Sequence, residues 1–348
     1  MIGKVSEMRI GFLLPANYAL SGGGQGVRAQ AEYQAGALEK LGHEVIRLNP
    51  WEPFRGEPLD MLQFFQGGYA HFWIHRSLAR SARRTVFAPI IDTNEPLWRY
   101  RLAAAAGRLV PKVHTIPAVF RDQGLASDAV IVRSQHERDR VVHGLGIASH
   151  RVHLVLNGVN PPPAADPAIA RQAFDLPESY LLHVSAYTQG RKNVERLIEA
   201  IGPLDIPLII AGTAEPGATL DRLRSLCDRY RHVRLLGFLP VEMLQSLYAG
   251  CRVFALPSDH EGTGLVALEA AAHGAGVVIT RNGGPPDYFI DLASYCDPRD
   301  TASIRCAVEE RWQQPAGDRL RKHVLEHLTW EKSAWRLERV YESLSPRG

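Results

Sequence analysis

The 348-residue sequence has few cysteines and no long apolar run. Its four cysteines are scattered through the second half without the C-x-x-C spacing of a zinc or redox site, so we interpret them as reduced packing residues. No run approaches the roughly 20 apolar residues of a membrane span. Residues 9–15 resemble a β-strand, and they do not resemble part of a signal peptide. These absences predict a cytoplasmic protein.

Metal-binding patterns are also missing. His71 and His75 would share one face of a strand, but no carboxylate or cysteine lies near enough in sequence to complete a zinc site. No Asp-x-Asp pair is placed to hold a divalent ion against a diphosphate. We therefore expect no metal and no other cofactor.

Basic residues are concentrated in the first half of the chain. Residues 1–160 contain 19 Lys and Arg against 13 Asp and Glu, whereas residues 161–348 contain 21 against 24. Much of the excess lies between Arg76 and Lys112, where arginines alternate with residues such as Trp98 and Leu102. This mixture fits an anionic membrane surface, a phosphorylated acceptor or a solvated arginine-rich helix face.

Apolar runs alternate with helix-length segments along the whole chain. In the first half, residues 10–15, a glycine cluster at 21–26, a helical pattern and residues 44–48 form a strand-helix-strand unit of a parallel sheet. Further strand-like runs in this half are residues 70–75, 85–92 and 128–132. In the second half the runs are residues 180–184, 208–211, 233–236, 253–256 and 277–280.

A proline cluster at residues 160–163 separates these halves and indicates a linker. The pattern predicts an α/β protein with two Rossmann-like, doubly wound domains, residues 1–160 and 161–328. Apolar residues at three- and four-residue spacing in 330–344 predict an amphipathic helix within a closing segment, residues 329–348.

Ligands of such domains bind beyond the carboxyl ends of the strands. Residues 256–274 contain a strand end, two acidic residues Glu261 and Glu269, and a glycine-bounded helix start suited to a diphosphate. Glu269 could accept hydrogen bonds from ribose hydroxyls, and Glu261 could contact a sugar or simply interact with the helix dipole. Arg191 and Lys192 adjoin another strand end, where they could bracket an anion or be solvated surface charges. The glycine turn at 22–26 lacks the G-x-G-x-x-G spacing of a dinucleotide site.

Several ordered motifs in the second half resemble glycosyltransferase family 4, a family of retaining enzymes with the two-domain GT-B fold. They are LHVS (182–185), RKNVERLIEA (191–200), LIIAG (208–212), VRLLGFLP (233–240), FALPS (254–258), EGTGLVALEAAAHG (261–274) and GGP (283–285). The first half matches more loosely, through the glycine cluster, GHEV (42–45), DAVIVRS (128–134) and NGVN (157–160). The resemblance implies two domains facing a cleft, with residues 330–344 crossing back to the first domain.

The resemblance also implies roles for single residues. Glu261 would contact the donor sugar, Lys192 and Arg191 would neutralise the diphosphate, and Glu269 would bind the ribose. The other implied donor-binding positions are Gly24, Gly26, Gly212, Phe238, Gly262, Thr263, Gly264, Leu265 and Val266. The leaving diphosphate would accept the acceptor's proton on the same face, which retains the anomeric configuration without a metal.

Departures from the family pattern affect these roles. Gln30 stands where a histidine is common in the first helix. Ala186 stands where the family has an arginine, and Ile91 stands where it often has a histidine. We therefore predict that phosphate binding depends more on Arg191, and that His75 or Asp92 serves the acceptor.

The sequence thus predicts a retaining glycosyltransferase that moves a sugar from a nucleotide-diphosphate sugar to a glycan or lipid-linked acceptor in surface polysaccharide or glycoconjugate biosynthesis. It would act in the cytoplasm or at the inner face of the membrane, with no nucleic acid partner. The alternatives are a nucleotide-sugar epimerase on the same scaffold and a non-catalytic regulator that binds sugar nucleotides.

Overall fold

The computed structural model describes residues 7–15, 26–49, 52, 58–109, 115–314 and 318–344, without the side chains of residues 70, 71, 76, 79 and 107–109. The chain divides into two compact units. One comprises Met1–Gly158 and Trp330–Gly348, and the other is Val159–Thr329. The division falls between residues 158 and 159, whereas the sequence predicted it after residue 160.

The first unit contains a six-stranded parallel sheet in the order β2-β1-β3-β4-β5-β6. Its strands are β1 (Arg9–Leu13), β2 (Glu44–Arg47), β3 (Leu59–Phe65), β4 (Ala82–Ala88), β5 (Ala129–Val132) and β6 (Val152–Leu154). The α-helices described in this unit are Gly26–Lys40, Tyr69–Leu78, Leu97–Leu109, Ile116–Ala126, Gln135–Asp139 and Trp330–Leu344.

The second unit repeats this architecture with the order β12-β11-β10-β7-β8-β9. Its strands are β7 (Leu181–Val184), β8 (Leu208–Ala211), β9 (Val233–Gly237), β10 (Val253–Leu256), β11 (Gly276–Thr280) and β12 (Ser294–Cys296). Its α-helices are Pro167–Phe174, Val194–Ile201, Ala218–Arg229, Val241–Gly250, Leu265–Ala272, Pro285–Phe289, Thr301–Gln313 and Asp318–His327. The predicted pair of parallel α/β domains is confirmed. Among the described helices, none combines the length and apolar character needed to cross a membrane.

Burial on both faces explains why the second unit was the easier one to predict. Strands β7, β8, β10 and β11 are buried at every residue, and such strands consist of near-continuous apolar runs. The helix Val194–Ile201 buries residues at three- and four-residue spacing against this sheet. Sequence periodicity and packing therefore agree in this unit.

The C-terminal helix Trp330–Leu344 packs on the first unit through specific contacts. Trp330 stacks on Tyr33 with ring centroids 5.3 Å apart. The Tyr341 hydroxyl donates a hydrogen bond to Gln63 Oε1 at 2.6 Å, and His43 Nε2 lies 2.9 Å from Glu338 Oε1. The helix thus anchors its apolar face with buried polar contacts.

One strand prediction in the first half is wrong. Residues 70–75 lie in the helix Tyr69–Leu78, and the strand of this region is β3, which precedes it. The helix packs Ile74 and Leu78 against the core at four-residue spacing, a pattern that a short apolar run does not distinguish from a strand. The sequence prediction also missed the short strands β6 and β12.

Candidate functional site

The site predicted around residues 256–274 lies at one edge of the second sheet. Strands β7, β10 and β11 are parallel and adjacent. The loops that follow them, residues 185–193, 257–264 and 281–284, therefore emerge at the same edge. The sequence motifs of all three loops are brought together by this strand order.

Asn193 links the first two loops. Its side-chain Nδ2 donates hydrogen bonds to the carbonyl oxygen of Pro257 at 3.0 Å and to Asp259 Oδ1 at 2.9 Å. The amide of Asp259 donates in turn to the carbonyl oxygen of Arg191 at 2.7 Å. Asn193 has a φ of 53°, a left-handed conformation that asparagine adopts more readily than most residues. Asparagine at residue 193 therefore suits both the left-handed backbone conformation and the hydrogen bonds that join the two loops.

The third loop holds the backbone of Glu261 from the other side. The Glu261 amide donates to the carbonyl oxygen of Asn282 at 3.1 Å, and the Gly284 amide donates to the Glu261 carbonyl at 2.9 Å. Gly283 has a φ of 103°, and a Cβ at this position would collide with the Glu261 carbonyl oxygen. Glycine is thus required at residue 283, and the position of Glu261 is set by loops on both sides.

Glu261 forms an ion pair with Lys192 at the centre of these loops. Lys192 Nζ lies 2.5 Å from Glu261 Oε1, and both side chains are only 10% exposed. Arg191 lies on the outside, 3.8 Å from the same oxygen and 53% exposed. The two adjacent cations therefore already share one anion, and Arg191 is the cation that solvent reaches more easily.

The helix Leu265–Ala272 begins four residues after Glu261. Gly264 precedes it with a φ of 79° and provides no side-chain cap. Its carbonyl oxygen accepts from the amides of Ala267 and Leu268 at 2.9 and 3.1 Å. The amides of Leu265 and Val266 have no partner within a helix of this geometry, so the helix start presents N–H groups and a positive dipole end to an anion.

Glu269 lies one turn into the same helix. Burial raises the pKa of its carboxyl group to about 7, although the Tyr248 hydroxyl opposes the shift. Its backbone carbonyl faces His273 Nδ1 at 2.9 Å. A carboxyl group with this pKa changes charge near neutral pH, so its ability to accept hydrogen bonds depends on pH in this range.

The sequence segment that carries this geometry matches a known family. Residues 166–322 match the family described as glycosyl transferases, group 1, and this segment contains all three loops of the site. This segment, a little under half of the chain, is similar to the group 1 glycosyltransferases. The family predicted from the motifs is confirmed.

A curated protein similar to this chain is the D-inositol 3-phosphate glycosyltransferase of Corynebacterium jeikeium. It is 28% identical over 248 residues, an alignment that covers 64% of this chain and 59% of the relative. The chain thus spans about three fifths of that relative's length.

Solved structures match over nearly the whole chain. Sucrose-phosphate synthase from Thermosynechococcus elongatus matches with a TM-score of 0.74 and 19% identity over 97% of this chain and 99% of that one. Anabaena HepE, solved in complex with UDP, matches with a TM-score of 0.73 and 16% identity over 97% and 100%. These matches confirm the predicted GT-B fold.

The remaining predicted donor residues of the second unit differ in their surroundings. Gly212 has a φ of 123° and lies against Ser185, whose carbonyl oxygen a Cβ would strike. Thr263 is buried, and its hydroxyl lies 3.3 Å from that of Tyr288, whereas Gly262 is partly exposed. Phe238 is 76% exposed, so it is free to contact a flat ring. Their donor-binding roles stay predictions.

The predicted residues of the first unit are less informative. Gly26 begins the helix Gly26–Lys40, and Gly24 lies outside the described residues. His75 is fully buried, with Nε2 3.0 Å from the Ser127 hydroxyl, a placement that favours packing over its predicted acceptor-side role. Asp92 is exposed and forms an ion pair with Arg133 at 2.8 Å.

Sequence reasoning did not identify the residues that hold the loops together. Asn193, Asp259 and Asn282 were not singled out, although each lies inside or beside a quoted motif. Their roles depend on hydrogen bonds between segments far apart in sequence, such as Asn193 and Pro257, which are 64 positions apart. In the described parts of the chain, no three histidine, cysteine or carboxylate side chains form a group that could hold a metal ion.

Proposed function

We propose that this chain transfers a sugar from a nucleotide-diphosphate sugar to a glycan or lipid-linked acceptor, with retention of anomeric configuration. The observation that carries the proposal is the arrangement of Lys192, Glu261 and the open start of the helix Leu265–Ala272 at one sheet edge. It combines a cation, an anion and N–H donors in neighbouring loops at one edge of the sheet.

Each part of this arrangement has a separate task. The amides at the helix start would bind diphosphate oxygens, and Arg191 with Lys192 would offset the charge that develops on the leaving phosphate. Glu261 would bind hydroxyls of the transferred sugar. A diphosphate oxygen would take the proton of the acceptor hydroxyl on the face of the sugar from which the diphosphate departs. The new glycosidic bond would therefore form on that same face.

Relatives support the donor and acceptor classes. The Corynebacterium jeikeium relative is named a D-inositol 3-phosphate glycosyltransferase, and inositol phosphate carries hydroxyl groups. The HepE structure contains UDP, a nucleoside diphosphate of the kind that a sugar donor leaves behind. We therefore propose that this chain also uses a nucleoside-diphosphate sugar as donor and a compound with a free hydroxyl group as acceptor.

A panel of nucleotide sugars tests the donor class. One of the UDP-, GDP-, ADP- or dTDP-sugars should raise the melting temperature by roughly 5 °C or more at about 100 times its Kd, because a ligand stabilises the state that binds it. The corresponding free sugars serve as controls and should have no effect. The measurement is differential scanning fluorimetry of the full chain.

Product analysis with the stabilising donor then separates the candidate activities. Release of the nucleoside diphosphate that depends on an added acceptor supports transfer. An isomerised nucleotide sugar formed without acceptor indicates an epimerase, and binding without turnover indicates a regulator. No stabilisation by any member of the panel would contradict the proposal.

We also propose that the first unit contacts an anionic membrane. On the helix Leu97–Leu109, Trp98 is 62% and Leu102 61% exposed, and Arg99 and Arg101 are exposed beside them. Exposed aromatic, aliphatic and basic side chains on one helix suit the interface of an anionic bilayer. The side chain of Arg76 and the whole of Lys112, which bounded the predicted basic region, lie outside the described residues.

Liposome sedimentation tests the membrane contact with a matched control. Arg99 lies 5.8 Å from the Trp98 ring, and Arg339 lies 5.0 Å from the ring of Trp335, which is 48% exposed on another helix. The Trp98→Ala/Arg99→Ala variant should lose roughly tenfold in partitioning onto anionic vesicles at low salt. The Trp335→Ala/Arg339→Ala variant should match the wild type. Equal pelleting of both variants, or no salt dependence, would refute the contact.

A further inference from the structure

His183 and Ser185 lie at the candidate site although no motif assigned them a role. His183 is the third residue of strand β7 and is fully buried. Ser185 directly follows the strand and is partly exposed. Its backbone borders Gly212, where a Cβ would strike the Ser185 carbonyl oxygen. Because strand β7 ends at Val184, Ser185 is the first residue of the loop that ends in Lys192 and Asn193.

Two hydrogen bonds determine the tautomer of His183. Its Nδ1 lies 2.8 Å from the carbonyl oxygen of Ala255, and its Nε2 lies 2.7 Å from the Ser185 hydroxyl. A carbonyl oxygen only accepts, so Nδ1 carries the hydrogen and donates it. In a neutral imidazole, Nε2 is then an acceptor, and the Ser185 hydroxyl must donate to it. The Ser185 proton is thus engaged, and its oxygen retains lone pairs that can accept.

The surroundings keep the His183 ring neutral. Burial lowers its pKa to about 4. The charge of Lys192 also lowers this pKa, whereas the charge of Glu261 raises it. The ring therefore belongs to the same electrostatic neighbourhood as the ion pair. At neutral pH it stays an acceptor for Ser185.

We propose that Ser185, held by His183, accepts a hydrogen bond from a hydroxyl group of the nucleotide sugar. The inference rests on the proposed function and adds a subsite to it. A phosphate oxygen is a poor partner because it also accepts, and the neighbouring Ala186 adds no cation for it. Ser185 is the binding residue, and His183 is a positioning residue that acts through it.

Isothermal titration of a Ser185→Ala variant tests the subsite. The titrants are UDP-glucose and GDP-mannose, the nucleoside diphosphates UDP and GDP, and inorganic diphosphate. Loss of one acceptor should weaken nucleotide-sugar binding by about tenfold, with inorganic diphosphate unchanged. Ser185→Thr, which keeps the hydroxyl, should restore binding. Ser225→Ala, at an exposed serine of the helix Ala218–Arg229, is the control.

The titrants distinguish the source of the hydroxyl. If binding of the nucleotide sugar weakens and that of the nucleoside diphosphate does not, the hydroxyl belongs to the transferred sugar. If both weaken equally, it belongs to the ribose. Weaker binding of inorganic diphosphate would overturn the inference in favour of a phosphate contact. Unchanged binding of every titrant would overturn it as well, while leaving the proposed donor class intact.

Nitrogen-15 NMR of the His183 ring provides a readout without any ligand. We expect a neutral ring with the proton on Nδ1 from about pH 6 to 8, and a shifted Nε2 resonance in Ser185→Ala. A proton on Nε2, or a charged ring in this range, would overturn the inference. If the wild type binds none of the nucleotide sugars, the proposed function fails and the subsite falls with it.

Discussion

Replacement of Lys192 by methionine is expected to lower both the stability of the second unit and the rate of sugar transfer. The change leaves the Glu261 carboxylate, which is 10% exposed, without its partner at 2.5 Å. Breaking a buried ion pair costs about 3–5 kcal/mol in the free energy of unfolding. Loss of a cation beside the leaving phosphate lowers kcat by roughly 10²–10³-fold. Urea denaturation and steady-state kinetics measure the two effects.

A second variant separates the structural effect from the catalytic one. Lys192→Met/Glu261→Leu replaces the pair by apolar side chains, so stability should return to within about 1 kcal/mol of the wild type. Transfer should stay lost because both functional groups are gone. Recovery of transfer together with stability would show that the pair is only structural.

The control for this experiment is an exposed ion pair of the same unit. Arg222 Nη1 lies 3.3 Å from Glu195 Oε2, with side chains 67% and 32% exposed. Arg222→Met should change the free energy of unfolding by less than about 1 kcal/mol and leave transfer unaffected. The contrast between Lys192 and Arg222 therefore reports the effect of burial.

Glu269 is expected to make both stability and donor binding depend on pH near neutrality. Its folded-state pKa of about 7 lies above the ordinary value of 4.5. The folded chain therefore holds this proton more tightly than the unfolded chain. The stability that the protonated carboxyl contributes is fully present below pH 4.5 and is lost as pH rises to 7, a decrease on the order of 3 kcal/mol.

Glu269→Gln should reverse this stability effect. An amide cannot ionise, so the variant should be more stable than the wild type at pH 8 and similar to it at pH 4.5. Glu199→Gln, at an exposed position of the helix Val194–Ile201, is the control and should show no such difference. Thermal unfolding across this pH range measures the effect.

Donor binding should respond in the opposite sense. A charged carboxylate accepts hydrogen bonds from ribose hydroxyls more strongly than a neutral carboxylic acid does. Wild-type affinity for UDP or GDP should therefore rise as pH increases through about 7. At pH 8, Glu269→Gln should bind about 100-fold more weakly, and its affinity should not vary with pH in this range. Equal affinity of the two proteins at pH 8 would exclude Glu269 as the ribose ligand.

The fold could be predicted where local and tertiary preferences coincide. Strands such as Val253–Leu256 are apolar because both faces of the sheet are covered, and the same pattern is visible in the sequence. Residues 70–75 were misassigned because a short apolar run supports either a helix or a strand. Their true conformation follows from packing of Ile74 and Leu78 against the core of the first unit.

The sequence by itself determined the class of this protein and the positions of Glu261, Glu269, Arg191 and Lys192 along it. Only the tertiary structure decided that Lys192 pairs with Glu261, that Asn193 and Asn282 hold the loops, and that His183 orients Ser185. The reason is physical. Periodicity and loop motifs reflect interactions within about ten residues, whereas these contacts join strand ends that approach one another only when the parallel sheet has formed.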